Sequence, residues 1–346
     1  MNCPLIEEYF FLVGEMNFSF GIGIKSLIFG EKMREKKRIL VIGSLNLDMV
    51  VSADHVPLAG ETILGRNMAL VPGGKGANQA CAAGRLGADT AMLGALGQDA
   101  HGRLLESSLR ESGVDVSRLL WRDHKETGLA MITVGDSGEN SIVVVPGANA
   151  TLTLEDLDRN RDLIEGCDGV ILQLEIPVET VCHGARLAKS LGKTVILDPA
   201  PVPGHFPEEL YGYADVIKPN ETELGMLTGI SDVTNHLEEA AEVIRGRGGK
   251  DLVVTLGEKG VFVASKAYGI RRIPAVKVKA VDTTAAGDAF TAALAYQLLE
   301  GRGLLEAAEF ANLVSAMVVT RKGAQSSIPS MEEVENWRDA AEFLEG

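Results

Sequence analysis

Cysteine is scarce: four residues in 346, Cys3, Cys81, Cys167 and Cys182, with no C-x-x-C pair. Three of them sit in apolar or helical surroundings, which predicts buried free thiols in a reducing compartment, the cytoplasm. The six histidines show no H-E-x-x-H or related spacing, which argues against a zinc site. Basic residues are outnumbered, 33 against 48, and the net charge of −15 excludes nucleic-acid binding through bulk electrostatics. An acidic balance leaves a nucleotide ligand open, because backbone amides can hold phosphates without net positive charge. Apolar runs never reach the ~20 residues needed to span a bilayer, so no membrane partner is expected. Also missing are a Walker A loop and a G-x-G-x-x-G with an acidic ribose partner, and with the latter the fingerprint of a NAD-linked dehydrogenase. Internal repeats, low-complexity tracts and a long interdomain linker are lacking too.

The first residues stand apart. Residues 5–30 are rich in Phe, Ile, Leu and Gly, interrupted by Glu7, Glu8, Glu15 and Lys25. Early acidic charges do not suit a secretory signal. Met33 is followed by Arg-Glu-Lys-Lys-Arg and then by a clean apolar strand. The expectation is that Met33 is the functional start and that 1–37 is an extension outside the core fold. A partner-binding segment is the other possibility.

From residue 38 to the end a single domain is expected, built of alternating strands and helices. Apolar strand runs fall at Ile39–Gly43, Thr90–Leu96, Val170–Leu174, Thr194–Leu197, Val216–Ile217 and Leu252–Leu256. Helical spacing follows at Asn78–Leu86, His101–Glu111, Val178–Leu191, Thr222–Leu227, Glu238–Arg245 and Asp288–Leu299, with a closing surface helix over Met331–Glu345. This pattern predicts an α/β fold of three layers, α/β/α, around a mostly parallel sheet. Two stretches, about 49–70 and 127–146, look extended and predict a small antiparallel β lid, the second as a hairpin around Gly135-Asp136-Ser137-Gly138. Ligands of such sheets bind at the carboxyl ends of the strands.

The polar motifs lie at those ends. Asp282-Thr283-Thr284-Ala285-Ala286-Gly287-Asp288 opens an apolar helix, whose free amides and dipole can hold an anion beside the Asp288 carboxylate. A phosphoryl-transfer centre and an ordinary capped helix both fit. Gly73-Gly74-Lys75-Gly76-Ala77-Asn78-Gln79-Ala80 opens another helix, and its glycines allow close approach to a ligand or make a tight turn. Asn46 and Asp48, two apart, point the same way and can grip vicinal hydroxyls or close an Asx-turn. Asn220 and Glu223 suit Mg²⁺ through water, or simply a helix start. Thr255-Leu256-Gly257-Glu258-Lys259-Gly260 suits a nucleotide or a hairpin turn.

Order, spacing and identity of these motifs together resemble the ribokinase-like carbohydrate kinase family, from about Arg38 to Pro329, with Arg321-Lys322-Gly323-Ala324-Gln325-Ser326-Ser327 matching a cation-binding segment. The resemblance implies ATP-dependent phosphorylation of D-ribose at its 5-hydroxyl, with 2-deoxyribose, another sugar or a nucleoside as the alternative. Asp288 would be the base, and the amides of Ala285, Ala286 and Gly287 the anion hole. Asn46, Asp48, Gly74, Lys75, Asn78 and Glu175 would hold the sugar under Ile142 of the lid. Asn220, Thr255, Gly257, Gly260, Gly287 and Asn312 would line the ATP site. Asn220 and Glu223 would organise Mg²⁺ through water. Asp282, Thr284, Val318, Arg321, Gly323 and Ser327 would hold K⁺. A homodimer through the lid, which presents Val50, Val51, Ile63 and Val143, is implied as well. Two positions depart from the family pattern: Asp198 stands where Asn is familiar, and Asn312 where His can occur.

Overall fold

The structure is a computed structural model and describes residues 36–345, with side chains to Arg338. The expectation about residues 1–32 and Met33 lies outside the described residues, as does Cys3.

The chain begins with β1 (Arg38–Ile42), β2 (Asn46–Ser52), β3 (Asn67–Gly73), α1 (Lys75–Arg85), β4 (Asp89–Leu93) and β5 (Ala95–Gly97). It continues through α2 (Ala100–Glu111), β6 (Val114–Asp115), β7 (Leu120–Arg122), β8 (Gly128–Val134), β9 (Asn140–Val145), α3 (Leu154–Arg159) and α4 (Arg161–Gly166). Then come β10 (Gly169–Leu172), α5 (Val178–Ser190), β11 (Thr194–Leu197), α6 (Glu209–Tyr213), β12 (Val216–Ile217), α7 (Glu221–Thr228) and α8 (Leu237–Gly246). The last part holds β13 (Asp251–Thr255), β14 (Val261–Ser265), β15 (Gly269–Ile273), α9 (Ala286–Leu299), α10 (Leu304–Val319) and α11 (Met331–Glu345).

Nine strands form the main sheet in the order β15-β14-β13-β12-β11-β10-β1-β4-β6. Its pairings are parallel except β13–β14 and β14–β15. The strands are apolar on both sides because both sides are covered. Ile39 and Val41 of β1 pack with α1, α9 and α10, whereas Leu40 and Ile42 face α5 and its neighbours. Each burial of a large aliphatic side chain contributes about 1.5–3 kcal/mol. Strand order reverses at β1, which has β4 on one side and β10 on the other, so a crevice opens at their carboxyl ends. The motif residues after β1 and β10 sit there.

Two expectations need correction. The run Thr90–Leu96 is two strands. At Gly94 a Cβ would lie 2.7 Å from the Gly43 carbonyl, and beyond it β5 leaves the main sheet to pair with β7. The lid, with order β3-β2-β8-β9, has two antiparallel pairings, but its central pair β2–β8 is parallel. It is a mixed sheet, because β2 and β8 both leave the main body in the same direction. Helix α10 was not expected. Leu304, Ala307, Ala308, Ala311, Val314 and Val318 carry the helical spacing that buries it beside α9. Cys81, Cys167 and Cys182 are free and buried, as expected. Among the described residues no helix is long and apolar enough to cross a membrane.

Candidate active site

The site forms where the starts of α1 and α9 meet the ends of β1, β10, β11 and β12. Gly74 makes the first contact possible: its φ is 88°, and a Cβ would lie 2.6 Å from the Asn46 amide nitrogen. Only glycine fits such a backbone approach. The helix it opens brings Asn78 and Gln79 to Asp288 in the first turn of α9. Asn78 Nδ2 donates to Asp288 Oδ2 at 2.9 Å, and Gln79 Nε2 to Asp288 Oδ1 at 3.3 Å. Asn78 Oδ1 is buried without a hydrogen-bond partner. An orphaned buried acceptor costs about 1–3 kcal/mol, so a ligand hydroxyl donating there is favoured.

Glu175, just past β10, accepts from Ser44 Oγ at 2.5 Å and from the Lys75 amide at 3.1 Å. Asp48 lies on the lid strand β2, close above Gly73, where a Cβ would come within 2.3 Å of its carboxylate. Burial, then the charges of Glu175 and Asp288, push Asp48 up to about 7. Burial raises Asp288 as well, and Asp198 adds to the rise; Lys75, the Asn78 hydrogen bond and Lys218 work against it. For Lys75, burial disfavours the charge, yet Asp288, Asp198, Glu175 and Glu223 prevail and hold the ammonium above the usual lysine value. Asn46 is buried, and its Oδ1 accepts from Asn149 Nδ2 at 2.8 Å. Six expected sugar-site residues therefore converge. Ile142 is 53 % exposed. The lid register sets Ile142 opposite Ile132 and Ile132 opposite Val50, which places it on the same face as Asn46 and Asp48.

On the other side of Gly287 lies a cavity of about 740 Å³. Asn220, Thr255, Gly257, Gly260, Gly287 and Asn312, the six expected nucleotide residues, all line it, together with Val276, Phe290 and Ala316. Gly260, at φ 88°, passes so close to Ile273 that a Cβ would sit 2.0 Å from its carbonyl. Asn312 Nδ2 donates to the Pro274 carbonyl at 2.9 Å, tying the cavity wall to α10. Ala286 and Gly287 are in the wall, and Ala285 is not. Ala285 instead caps α9 in the left-handed region, φ 62° and ψ 4°. The Ala286 amide donates to the Thr283 carbonyl at 3.2 Å.

The cation expectations meet different geometry. Asn220 and Glu223 form a reciprocal capping box at the start of α7, each amide donating to the other's side chain at 2.8 Å. Helix capping thus engages Asn220 Oδ1 and Glu223 Oε2. Glu223 Oε1 remains for a hydrated cation, a donor set that fits Mg²⁺ through water rather than direct ligation. Among the described residues no cluster of three or more His, Cys, Asp or Glu could enclose a metal. The proposed K⁺ loops are brought together: Asp282 Oδ1 accepts from the Thr284 amide and hydroxyl, and Asp282 Oδ2 from the Gly323 amide at 2.9 Å. Ser327 is buried with its hydroxyl on the Ala324 carbonyl, Arg321 pairs with Glu333, and the Val318 carbonyl accepts from the Arg321 amide at 3.0 Å. These bonds hold the 282–284 and 318–327 segments side by side, with the Val318 and Ala324 carbonyls and the Asp282 carboxylate already accepting within the protein.

Several functional neighbours escaped the sequence reading. Asn149 comes from the turn Gly147–Thr151, distant in sequence, and nothing local marks it. Gln79 lay inside the quoted glycine-rich motif without a role of its own, and Lys218 was not singled out. Asp198 was noted only as a departure from pattern.

The model of the pfkB family of carbohydrate kinases matches residues 36–331. A ribokinase of Haemophilus influenzae is 40 % identical over 311 residues, covering 90 % of this chain and 99 % of its own length. A deoxyribokinase of Salmonella typhi is 36 % identical over 296 residues, 85 % of this chain and 96 % of its own. Among solved structures, Arabidopsis thaliana ribokinase complexed with ribose and ATP superposes with a TM-score of 0.82 at 33 % identity, covering 87 % of this chain and 98 % of that one.

Proposed function

The chain belongs to the pfkB family of carbohydrate kinases, and on that premise we propose that it transfers the γ-phosphoryl group of ATP to the 5-hydroxyl of D-ribose, giving ribose 5-phosphate. One observation carries the reading. Asp288 is buried between two amide donors at the start of α9, and the next peptide toward the helix start, Gly287, forms the wall of the nucleotide-sized cavity. A base and an anion site are thus one residue apart.

Asn46, Asp48, Asn78 and Glu175 hold and orient the sugar hydroxyls, with Gly74 and Lys75 against them. Asp288 takes the proton of the primary hydroxyl as it attacks phosphorus. The Gly287 amide in the cavity wall stabilises the charge on the transferring group, and the Ala286 amide joins it only by leaving the Thr283 carbonyl. Phosphoryl transfer needs positioning and electrostatics more than covalent help. Mg²⁺, when bound with ATP, neutralises phosphate charge; Glu223 and Asn220 would hold it through water. Asp282, Thr284, Val318, Arg321, Gly323 and Ser327 would hold K⁺, which would add positive charge to the site. Closure of the lid, with Ile142 over the sugar, excludes water and limits ATP hydrolysis.

The buried Asn46 favours ribose over 2-deoxyribose, since a site built to bond a hydroxyl disfavours the analogue lacking it. The lid's far face carries the row Leu70, Met49, Met131 and Val143, of which Leu70, Met131 and Val143 are 43 %, 44 % and 54 % exposed. An apolar row of this kind supports a homodimer through the lid. Its cellular place is the cytoplasm, in keeping with three buried free thiols. The test is ADP release with ribose, 2-deoxyribose, fructose and nucleosides, with and without Mg²⁺ and K⁺. Ribose should give the highest kcat/KM; turnover of a nucleoside in preference to any free sugar would overturn the assignment.

A further inference from the structure

Behind Asp288 lies a polar network that the mechanism above does not use. Asp198, just past β11, is 1 % exposed, and Lys218, just past β12, is 3 % exposed; they pair at 3.1 Å. Lys218 Nζ also reaches the Gly287 carbonyl at 3.5 Å, and the Thr291 hydroxyl donates to that carbonyl at 2.9 Å. Gln79 Nε2 bridges two carboxylates, Asp198 Oδ2 at 2.9 Å and Asp288 Oδ1 at 3.3 Å. Gln79 is fixed in turn by Gln173 Nε2, which donates to Gln79 Oε1 at 2.6 Å. With Gln79 Oε1 taken by that bond, Nε2 is the end that faces the acids.

We propose that Gln79, Asp198 and Lys218 are positioning residues: Gln79 aims the Asp288 carboxylate, and the buried ion pair pins the Gly287 peptide beneath the anion site. The physical reasoning has two parts. A buried ion pair is seldom kept for net stability, because desolvation offsets its attraction, so its value lies in fixing geometry. Here the geometry it fixes is that of the peptide joining base to anion hole. Moreover, the pair is electrically lopsided toward Asp288. Asp198 shares the Gln79 amide with Asp288, whereas Lys218 reaches the peptide on the far side.

The charged groups around Asp288 are Lys75 on α1, Asp48 on β2, Asp198 beyond β11 and Lys218 beyond β12. Glu175 beyond β10 and Glu223 on α7 act on Lys75. Removing the Asp198 charge should ease ionisation of Asp288, and removing that of Lys218 should hinder it. The acid limb of kcat then moves to lower pH in Asp198→Asn and to higher pH in Lys218→Met.

This inference rests on Asp288 being the base, and the experiment separates the two. Ribose-dependent ADP release is followed from about pH 5 to about pH 9, with thermal melts, for the wild type and for Asp288→Asn, Gln79→Leu, Asp198→Asn, Lys218→Met and the double variant Asp198→Asn/Lys218→Met. An inactive wild type, or an active Asp288→Asn, sinks the functional reading itself. With those controls as expected, Gln79→Leu should lose about 10- to 100-fold in kcat while the ribose KM changes by less than about threefold, since misplacement of a reacting group acts on the transition state. The two single charge variants should displace the limb in opposite directions, and the double variant should restore it. Either single variant can unfold from an unpaired buried charge. Gln79→Leu and the neutral double variant then decide alone, the double variant keeping the wild-type limb with a lowered kcat. Displacement of the limb in one direction by both single variants overturns the proposal. So does wild-type kcat in Gln79→Leu or in the double variant.

Discussion

Asn149 Nδ2 donates to Asn46 Oδ1 at 2.8 Å, and its other proton serves the Leu45 carbonyl at 3.0 Å. Asn46 therefore has its acceptor occupied within the protein and its own amide N–H groups left to donate. Gly128 keeps this contact possible, since a Cβ there would lie 2.3 Å from both side chains. In the proposed complex, Asn46 would therefore meet a sugar hydroxyl as a donor. Asn46→Ala should raise the ribose KM about 10- to 100-fold while changing 2-deoxyribose kinetics by much less. Asn149→Ala should move both sugars the same way as Asn46→Ala, but less, because Asn46 loses only its orientation. Equal losses for the two sugars in Asn46→Ala would show that Asn46 reads another hydroxyl.

Asp288 is an acid whose burial raises its pKa. As the proposed base it works only when ionised, so kcat should fall on the acid side at a pH above the usual carboxylate range. Asp288→Asn should lose about 10²–10⁴-fold in kcat, the usual range for a general base. It should retain ATP and ribose binding. Calorimetric titration of both ligands into that variant checks the point; loss of binding would make Asp288 a structural residue instead.

Asp48 gives a stability prediction with a defined sign. Its folded pKa, about 7, stands above the ordinary aspartate value of 3.8, so between the two the folded chain holds a proton that the unfolded chain has released. Stability contributed by this group is present below the unfolded pKa and is lost as pH rises through the folded one. Asp48→Asn keeps the shape and removes the charge. At about pH 8 it should be more stable than the wild type by on the order of 1–2 kcal/mol after allowance for solvent screening, and the gain should shrink toward about pH 5. Denaturant melts at the two pH values measure it. A gain independent of pH would mean that Asp48 is already ionised without penalty in the fold.

What the sequence disclosed and what it hid follow from one distinction. Strands buried on both faces announce themselves as apolar runs, and the helix starts carrying Asn78 and Asp288 are marked by glycines that have no other use. Of the six residues lining the cavity, Asn220, Thr255, Gly257 and Gly260 were legible because they sit at or just past strand ends of polar or glycine-rich composition, and Gly287 because it stands at a helix start; Asn312, inside α10, came only with the family resemblance. Asn149, Gln79, Asp198 and Lys218 were not, since a buried polar residue declares its role only through its partner. Gln79 meets Asp198 across 119 residues and Asn149 meets Asn46 across 103. The parallel pairing of β2 with β8 was hidden for the same reason: local pattern gives extended conformation, not the direction of a distant neighbour. The capping box of Asn220 and Glu223, by contrast, was written in the N-x-x-E spacing, and it is the helix-start reading of that motif that the hydrogen bonds display.

Ala285 supplies the last prediction. Among the described residues it alone has a positive φ without being glycine, at 62°, and it caps the helix that bears Asp288. A left-handed L-residue costs roughly 1–2 kcal/mol, partly returned through the lower entropy of the unfolded chain relative to glycine. Strain of this kind persists where the surroundings over-determine it, and here it orients the peptides next to the cavity. Ala285→Gly should therefore raise stability by about 0.5–1 kcal/mol and lower kcat a few-fold, as the anion site gains freedom. Ala285→Val should do the opposite to stability, because a β-branched side chain tolerates this conformation poorly, and should abolish measurable turnover. The two melts and two kcat values separate strain kept for geometry from strain without consequence. If Ala285→Gly is both more stable and fully active, the alanine has no role in catalysis, and the anion site owes its shape to the Thr283–Ala286 turn and the Lys218 contact alone.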